Sequence, residues 1–321
     1  MRVEVEAHAR LHFGFVDPSG TAPRRFGGLG MAIAAPRFVV RIEPAPTLVV
    51  EGEDVDRVMA IAAHFCAQAG VRARASIQVM ETIPAHAGLG SGTQIALAIA
   101  AGLARLHRLD LPAESLCRMM GRARRSGVGF HLFREGGLVV EAGHGEAETR
   151  DLAVPQTEAV PPLVVRHALP EDWRVILMVP RSGPSISGEV EDEAFRRMGR
   201  VPEGTSERIG RLLTDQISPA LDARDLNRFG TALAEVQDLV GACFASVQGG
   251  PFHPLAAPTV RRLRAAGVAG AGQSSWGPAV YGFAASETEA CRLRSLLEAE
   301  APESMVRIVR PCNTGAVIRP L

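Results

Sequence analysis

The sequence predicts an α+β protein of two domains. Three observations carry that expectation. The chain has 321 residues, 46% of them hydrophobic, which is more apolar matter than one core usually holds. Strand patterns of period two occur among pairs of helical patterns, without the strict strand–helix alternation of a doubly wound parallel sheet. A proline-rich stretch at 153–170, with Pro155, Pro161, Pro162 and Pro170, looks like a linker. The expected domains are residues 1–160 and 161–321.

Taken in order, residues 2–13 alternate strictly. Val3, Val5, Ala7, Ala9, Leu11 and Phe13 share one face; Arg2, Glu4, Glu6, His8, Arg10 and His12 share the other. That is a half-buried strand. A glycine-rich segment, RRFGGLGMAI at 24–33, follows it. FVVRIEP and LVVEG read as strands, and 54–69 as a helix. In 72–79, Ala73, Ala75, Ile77 and Val79 point inward from another strand. Helices are expected at about 93–107 and 113–125, the second entered by Pro112. Residues 127–143 read as a glycine-punctuated hairpin. Beyond the linker come a strand WRVILMVP, a loop around 181–195, and helices at about 206–223 and 225–246. In the latter, Leu226, Phe229, Leu233, Val236 and Val240 keep helical spacing. A helix near 255–266, a glycine-rich segment, a helix near 286–300 and a strand SMVRIVRP complete the order.

Charge is balanced, 35 basic against 35 acidic residues. A nucleic-acid binder usually shows a basic excess, so none is expected as a partner. There is no lysine: all the basic residues are arginine. Neither a phosphate-loop lysine nor a Schiff base is available. Any anion must be held by arginine, histidine, backbone N–H groups or a metal. Five scattered cysteines without a C-x-x-C pair suggest reduced thiols. The longest apolar run, near Ile95–Ala104, is too short for a membrane span. A cytoplasmic protein with no membrane partner is expected.

The most informative stretch is IPAHAGLGSGTQIALAIAAGLARL, residues 83–106. Gly88, Gly90 and Gly92 alternate with Leu89, Ser91 and Thr93, directly before an apolar run. The first N–H groups of a helix lack internal partners and carry partial positive charge. Glycines let a ligand approach them, and hydroxyls add donors. The chemistry points to a phosphate site. The plainer alternative is a turn capped by Ser91 or Thr93. The stretch is neither a Walker loop nor a Rossmann fingerprint.

Pro84, Gly88, Leu89, Gly90 and Ser91 resemble the P-x-x-x-G-L-G-S-S signature of the GHMP kinase superfamily, with Gly92 in place of the second serine. ARLHFGF (9–15) looks like that superfamily's first motif, and AGAGQSSWGPAVYGF (269–283) like its third. The resemblance implies a two-domain fold, with an N-terminal domain like domain 2 of ribosomal protein S5 and a C-terminal ferredoxin-like α/β sandwich. More narrowly, RLHFGF, RRFGGLGMAI, AGLGSGTQIALAIA, RSGVGFHLFREGGLVVEAG, SGEVEDEAF and GQSSWGPAVYGF resemble the β-ribofuranosylaminobenzene 5′-phosphate synthases. These are members that are not kinases. The resemblance implies a transferase that joins 4-aminobenzoate (or 4-hydroxybenzoate) to 5-phosphoribosyl 1-diphosphate and releases CO2 and diphosphate, in tetrahydromethanopterin biosynthesis. It implies Mg2+ bound mainly through the diphosphate, and a homodimer. A kinase would need ATP and, in many members, an aspartate base with a nearby lysine. Lysine is absent, and 126–145 holds no aspartate. A non-catalytic ligand-binding relative is the third reading.

Candidate residues follow. His8 and His12 lie too far apart on a strand, about 13 Å, to share a metal; His8 reads equally as a solvated face. Metal ligands are not assigned. Arg10, His12 and Arg25 are the expected catalytic residues. Arg24, His86, Gly88, Gly90, Ser91, Gly92, Thr93, Gln273, Ser274, Ser275 and Trp276 are the expected substrate contacts. An arginine fork suits a phosphate or carboxylate, and a single cation near the ring would orient the benzoate. Trp276 is either core or a flat wall for an aromatic ring. His131 and Arg134 match the synthase pattern without a derivable role, and Glu135 reads as solvated or as a Mg2+ contact. Ser187 and Glu189 belong to a glycine- and serine-rich loop. Arg122–Arg125 reads as a solvated patch at a helix end.

Overall fold

The computed structural model describes residues 1–18, 24–145, 159–180 and 201–321. The side chains of Arg24 and Arg25, and the loop that holds Ser187 and Glu189, lie outside the described residues. The chain builds two antiparallel-dominated sheets with helices packed on them, the α+β class that the patterns predict.

Strand β1 (Val3–Asp17) pairs with β2 (Arg24–Pro44) along nearly its whole length. The expected alternation holds: Val3, Val5, Ala7, Ala9, Leu11 and Phe13 are fully buried. The glycine-rich segment and FVVRIEP are one continuous strand, not two pieces. Its glycines serve close packing. A Cβ on Gly28 or Gly30 would stand 2.6 Å from Val128, on the helix that covers this face.

The rest of the first half follows in order: β3 (Val49–Glu51), α1 (Val55–Gln68), β4 (Ala75–Glu81), α2 (Ser91–Leu106) and α3 (Ala113–Met119). Strand β3 runs parallel to β4. Helix α3 stops six residues earlier than expected, because Gly121 and Ala123 turn left-handed (φ 60° at each). Residues 127–143 are a correction: they form α4 (Val128–Glu135) and β5 (Leu138–Glu141), not a hairpin. The glycines bound the helix instead of punctuating strands. Gly127 caps its start, and Gly136 and Gly137 end it at positive φ. Strand β6 (His144–Gly145) pairs with Arg24 and Arg25 on β2. Strand β7 (Leu163–His167) pairs with β5, so part of the expected linker is a strand of the first sheet.

The second sheet has the order β11–β8–β10–β9: β8 (Arg174–Pro180), β9 (Ala269–Gln273), β10 (Val280–Ala284) and β11 (Ser304–Val309). Around it lie α5 (Thr205–Leu212), a π-helical turn (Leu213–Ile217), α6 (Ser218–Asp222), α7 (Leu226–Gln248), α8 (Ala257–Ala265) and α9 (Glu287–Glu300). Strand β8 is apolar on both faces because both are covered. Ile176 and Met178 pack with Val260, Leu263, Leu293 and Leu297. Val175 and Leu177 join the main core with Phe229 and Leu233 of α7. The last strand, β12 (Val317–Pro320), returns to the first sheet beside β1.

Helix α2 lies buried in the main core, with Ile95, Ile99 and Leu103 fully enclosed. Burying each such side chain contributes about 1.5–3 kcal/mol. Gly102 lets the helix lie close on the sheet, since a Cβ there would meet Ile42 at 2.6 Å. The helix is thus held rigidly, and its N-terminus is fixed in place.

Candidate active site

Three segments distant in sequence meet at that N-terminus. The Arg10 N–H donates to the Leu89 carbonyl (3.0 Å), and Arg10 Nη1 donates to the Gly88 carbonyl (2.7 Å). Ser274 Oγ donates to the same Gly88 oxygen (2.7 Å) and accepts from the His12 N–H (3.1 Å). The Ser275 N–H donates to the His12 carbonyl (3.0 Å), and the Ala279 N–H to the Ala87 carbonyl (3.1 Å). The two loops touch backbone to backbone. A Cβ on Gly88 would stand 2.2 Å from the Ser274 carbonyl oxygen, and one on Gly277 2.2 Å from Gly88 N.

Helix α2 starts at Ser91, two residues before the expected start, with Gly90 as its left-handed N-cap (φ 78°) and no side-chain cap. Ser91 and Thr93 therefore do not cap it. The first bonds of the ladder run from the Thr93 and Gln94 N–H groups to the Gly90 carbonyl (3.2 Å each). The Ser91 and Gly92 N–H groups come before them and have no partner among the described residues. Arg57 Nη2 donates to Ser91 Oγ (3.3 Å) while its Nη1 meets Asp54 (3.3 Å). Arg122 stands beside the same turn: a Cβ on Gly92 would lie 3.4 Å from its Nη1 and 3.8 Å from Arg57 Nη2. Burial, and then the charge of Arg57, hold the Arg122 guanidinium below its ordinary pKa. Two guanidiniums and a helix dipole thus converge with one carboxylate at Arg57. Such a convergence has the charge and the donors that suit an anion. It also corrects the reading of Arg122, which lies in a turn beyond α3 and is drawn into the site instead of being solvated at a helix end. Thr93 turns to α4, where it touches Gly129.

His12 is buried. Burial, and then the Arg10 charge, push its pKa down to about 3, so the ring is neutral at physiological pH. It is not the cationic grip for a carboxylate that the sequence suggested. The Gly14 N–H donates to Nδ1 (3.2 Å), which leaves the proton on Nε2, 3.1 Å from Ser126 Oγ. The Val128 N–H also donates to Ser126 Oγ (3.3 Å). The turn is held from behind by buried Glu141, whose carboxylate accepts from the N–H groups of Gly127 (3.1 Å) and Gly143 (2.6 Å).

On its other side His12 borders an aromatic pocket with Phe15, Val240, Phe244, Phe252 and Trp276. Trp276 packs edge-on against Phe244, ring centroids 4.8 Å apart. It is therefore buried, at 7% exposed, and also part of the pocket wall. Gln273 and Ser275 line the same pocket. Gln273 is engaged within the protein, accepting from the His253 N–H (2.7 Å) and donating to the Ser275 carbonyl (2.8 Å). Ser274 is fully buried. Both residues shape the loop, Ser274 from inside the protein and Gln273 at the pocket wall.

Other expected residues lie apart. His86 is exposed on the approach to the glycine loop, at φ 57°. Gly90 faces inward: a Cβ there would strike Arg10 Cγ at 2.7 Å. His8 is not solvated; its side chain is only 10% exposed, and Nε2 lies 3.9 Å from Glu6. His131 Nε2 bonds the Pro161 carbonyl (2.7 Å), and Arg134 pairs with Glu114 and Glu135 at the surface. These are structural contacts. Sequence reasoning missed Arg57, Ser126 and Glu141. Ser126 and Glu141 sit inside the quoted RSGVGFHLFREGGLVVEAG stretch, so a signal was present; nothing in the sequence marks Arg57. Among the described residues, no group of three or more His, Cys, Asp or Glu side chains could hold a metal, and no helix is long and apolar enough to cross a membrane.

Comparison with known proteins places the chain in a family. Residues 56–133 match the GHMP kinases N terminal domain, and residues 217–301 the GHMP kinases C terminal domain. A beta-ribofuranosylphenol 5′-phosphate synthase of Methanothermobacter thermautotrophicus is 31% identical over 289 residues, covering 86% of this chain and 87% of that protein. One from Archaeoglobus fulgidus is 34% identical over 238 residues, covering 72% and 74%. The fold matches mevalonate diphosphate decarboxylase of Staphylococcus aureus (TM-score 0.65, 15% identity, 99% of this chain and 98% of that one). It also matches mevalonate kinase of L. major (TM-score 0.68, 14% identity, 97% and 96%). The chain belongs to the GHMP kinase superfamily and, within it, to the enzyme family of the beta-ribofuranosylphenol 5′-phosphate synthases.

Proposed function

We propose that this enzyme condenses 5-phosphoribosyl 1-diphosphate with a para-substituted benzoate, releasing CO2 and diphosphate, in the methanopterin pathway that the resemblance implies. One observation carries the reading: a lysine-free anion site at the start of α2 and an aromatic-walled pocket are joined through Arg10 and His12 of β1. The donor's phosphates suit the open Ser91 and Gly92 N–H groups with Arg57 and Arg122, and the acceptor ring suits the pocket beside Trp276. As the C1–O bond breaks, its electron pair leaves with the diphosphate. The ring carbon bearing the carboxylate bonds to C1. The carboxylate then departs as CO2, and its bonding pair restores the aromatic ring. Such chemistry is mostly positioning and electrostatics. The donors around the loop hold anion oxygens, so Mg2+ would be held by the diphosphate and water and would neutralise the leaving charge. The para substituent survives the reaction, so the relatives' name, a ribofuranosylphenol, favours 4-hydroxybenzoate over 4-aminobenzoate.

The test supplies each carboxyl-labelled benzoate with the phosphoribosyl donor and Mg2+, and measures labelled CO2 and diphosphate. Equal release of both, faster with 4-hydroxybenzoate, is expected. ATP with alcohol acceptors serves as the comparison. ADP formation that depends on one alcohol, without CO2 release from either benzoate, would replace this reading with a kinase.

A further inference from the structure

Ser126 is bonded to His12, which borders the aromatic pocket, and its hydrogen bonds fix what its hydroxyl can do. Its oxygen accepts from the Val128 N–H. The ring of His12 contributes the second bond, and the Gly14 N–H at Nδ1 decides its direction: Nε2 carries the proton and donates. Both lone pairs of Ser126 Oγ are thus occupied. Its own proton is the one group left, and among the described residues no acceptor takes it. Ser126 is partly exposed. The pair is not a nucleophilic serine with a histidine base, because a protonated Nε2 cannot take the serine proton.

The place of Ser126 gives the proton a target. Arg10 and His12 are two residues apart on one face of β1, about 7 Å along the strand. Arg10 supports the glycine loop, and His12 supports Ser126. Helix α4, which begins two residues after Ser126, is tied to α2 by Gln94 Nε2 donating to the Gly129 carbonyl (2.8 Å). Ser126 is therefore held by the strand residue one step along the same face from the one that supports the glycine loop, and its own helix is tied to α2.

We propose that Ser126 is a substrate contact whose hydroxyl donates to a phosphate oxygen of the phosphorylated substrate, with His12 as the positioning residue that turns it. This rests on the anion site of the proposed reaction and adds a donor to it. Inorganic diphosphate and ribose 5-phosphate represent the two ends of that substrate. Their binding to the whole enzyme is measured by calorimetry, without turnover. Ser126→Ala should weaken one of them by about 10- to 150-fold, the worth of a hydrogen bond to a charged group, and leave the melting temperature nearly unchanged. Which probe weakens tells which phosphate it meets. His12→Leu should weaken the same probe. His12→Gln, which keeps an N–H near the Nε2 position, should restore most of the affinity. The Ser126→Ala/His12→Leu double variant should bind no worse than Ser126→Ala alone, because the two act as one unit. Unchanged affinity for both probes in a folded Ser126→Ala enzyme overturns the proposal. So do additive losses in the double variant. Binding of neither probe by the wild-type enzyme overturns the anion site itself, and the CO2 assay judges the reaction separately.

Discussion

Gly92→Ala separates the anion-binding role of the loop from its structural role. Gly88 and Gly90 cannot serve: both have positive φ, and a Cβ would stand 2.2 Å from the Ser274 carbonyl or 2.7 Å from Arg10 Cγ. Either change would disturb the loop itself. Gly92 has no such constraint. A Cβ there meets Arg122 Nη1 at 3.4 Å and Arg57 Nη2 at 3.8 Å, ordinary contact distances. Alanine also suits the helix better, by at most ~1 kcal/mol relative to glycine. The folded protein should be no less stable. Yet the new methyl group occupies the space between the two guanidiniums and the open N–H groups, where a phosphate would sit. Loss of one charge-assisted hydrogen bond costs about 1.5–3 kcal/mol, which is roughly 10- to 150-fold in affinity. Calorimetry with the phosphoribosyl donor or with diphosphate reads the affinity, and a thermal melt reads the stability. The expected result is a higher Kd with an unchanged or higher Tm. An unchanged Kd would place the anion elsewhere. A lower Tm would show that the loop was disturbed and refute the packing argument.

Two other predictions concern the neighbouring pocket. With a pKa near 3 in the folded protein and about 6.5 unfolded, neutral His12 contributes stability fully above pH 6.5 and loses it as pH falls towards 3, since only the unfolded chain takes up the proton there. His12→Gln should flatten that part of the stability–pH curve in denaturant titrations; an unaltered slope would mean that His12 titrates normally. Trp276→Phe should raise KM for the benzoate roughly 2- to 12-fold, the range of an aromatic pair beyond burial, and leave that for the phosphoribosyl donor unchanged. Equal changes in both would make Trp276 a core residue only.

The first strand was legible in the sequence because its period-two pattern reports burial directly, and burial decides strand register. The start of α2 was legible to within two residues, because glycines directly before an apolar run mark a helix N-terminus. Residues 127–143 were misread because glycine marks both hairpins and helix ends. The apolar residues that decide the matter, Val128, Phe130, Leu132 and Phe133, are all buried here, against two different neighbours. Arg57 and Arg122 were illegible. Each lies on a different element, and only the fold brings them to Gly92. In a chain whose cations are all arginine, residue type gives no hint of which one matters.

The lysine-free composition gains a structural meaning at this point. A lysine would place one compact, strongly hydrated charge near the start of α2. Two arginines instead surround a helix N-terminus from two directions, Arg57 from the first turn of α1 and Arg122 from the turn beyond α3. Planar forks hold oxygens at fixed angles, which would suit the departing diphosphate of the proposed reaction. They also repel each other, and burial deepens that conflict at Arg122. An anion relieves both costs at once. Without such an anion the two guanidiniums are only partly compensated, by Asp54 at Arg57; in the proposed reaction the substrate's charge would complete the site. His12 stands on the other side of this arrangement as a neutral group. A second cation beside Arg10 would have added to the repulsion; a neutral ring with a fixed tautomer supplies a directed N–H instead. The sequence shows a polar face on β1. The fold divides that face by charge state, with Arg10 holding the loop and His12 kept uncharged at the border of the aromatic pocket.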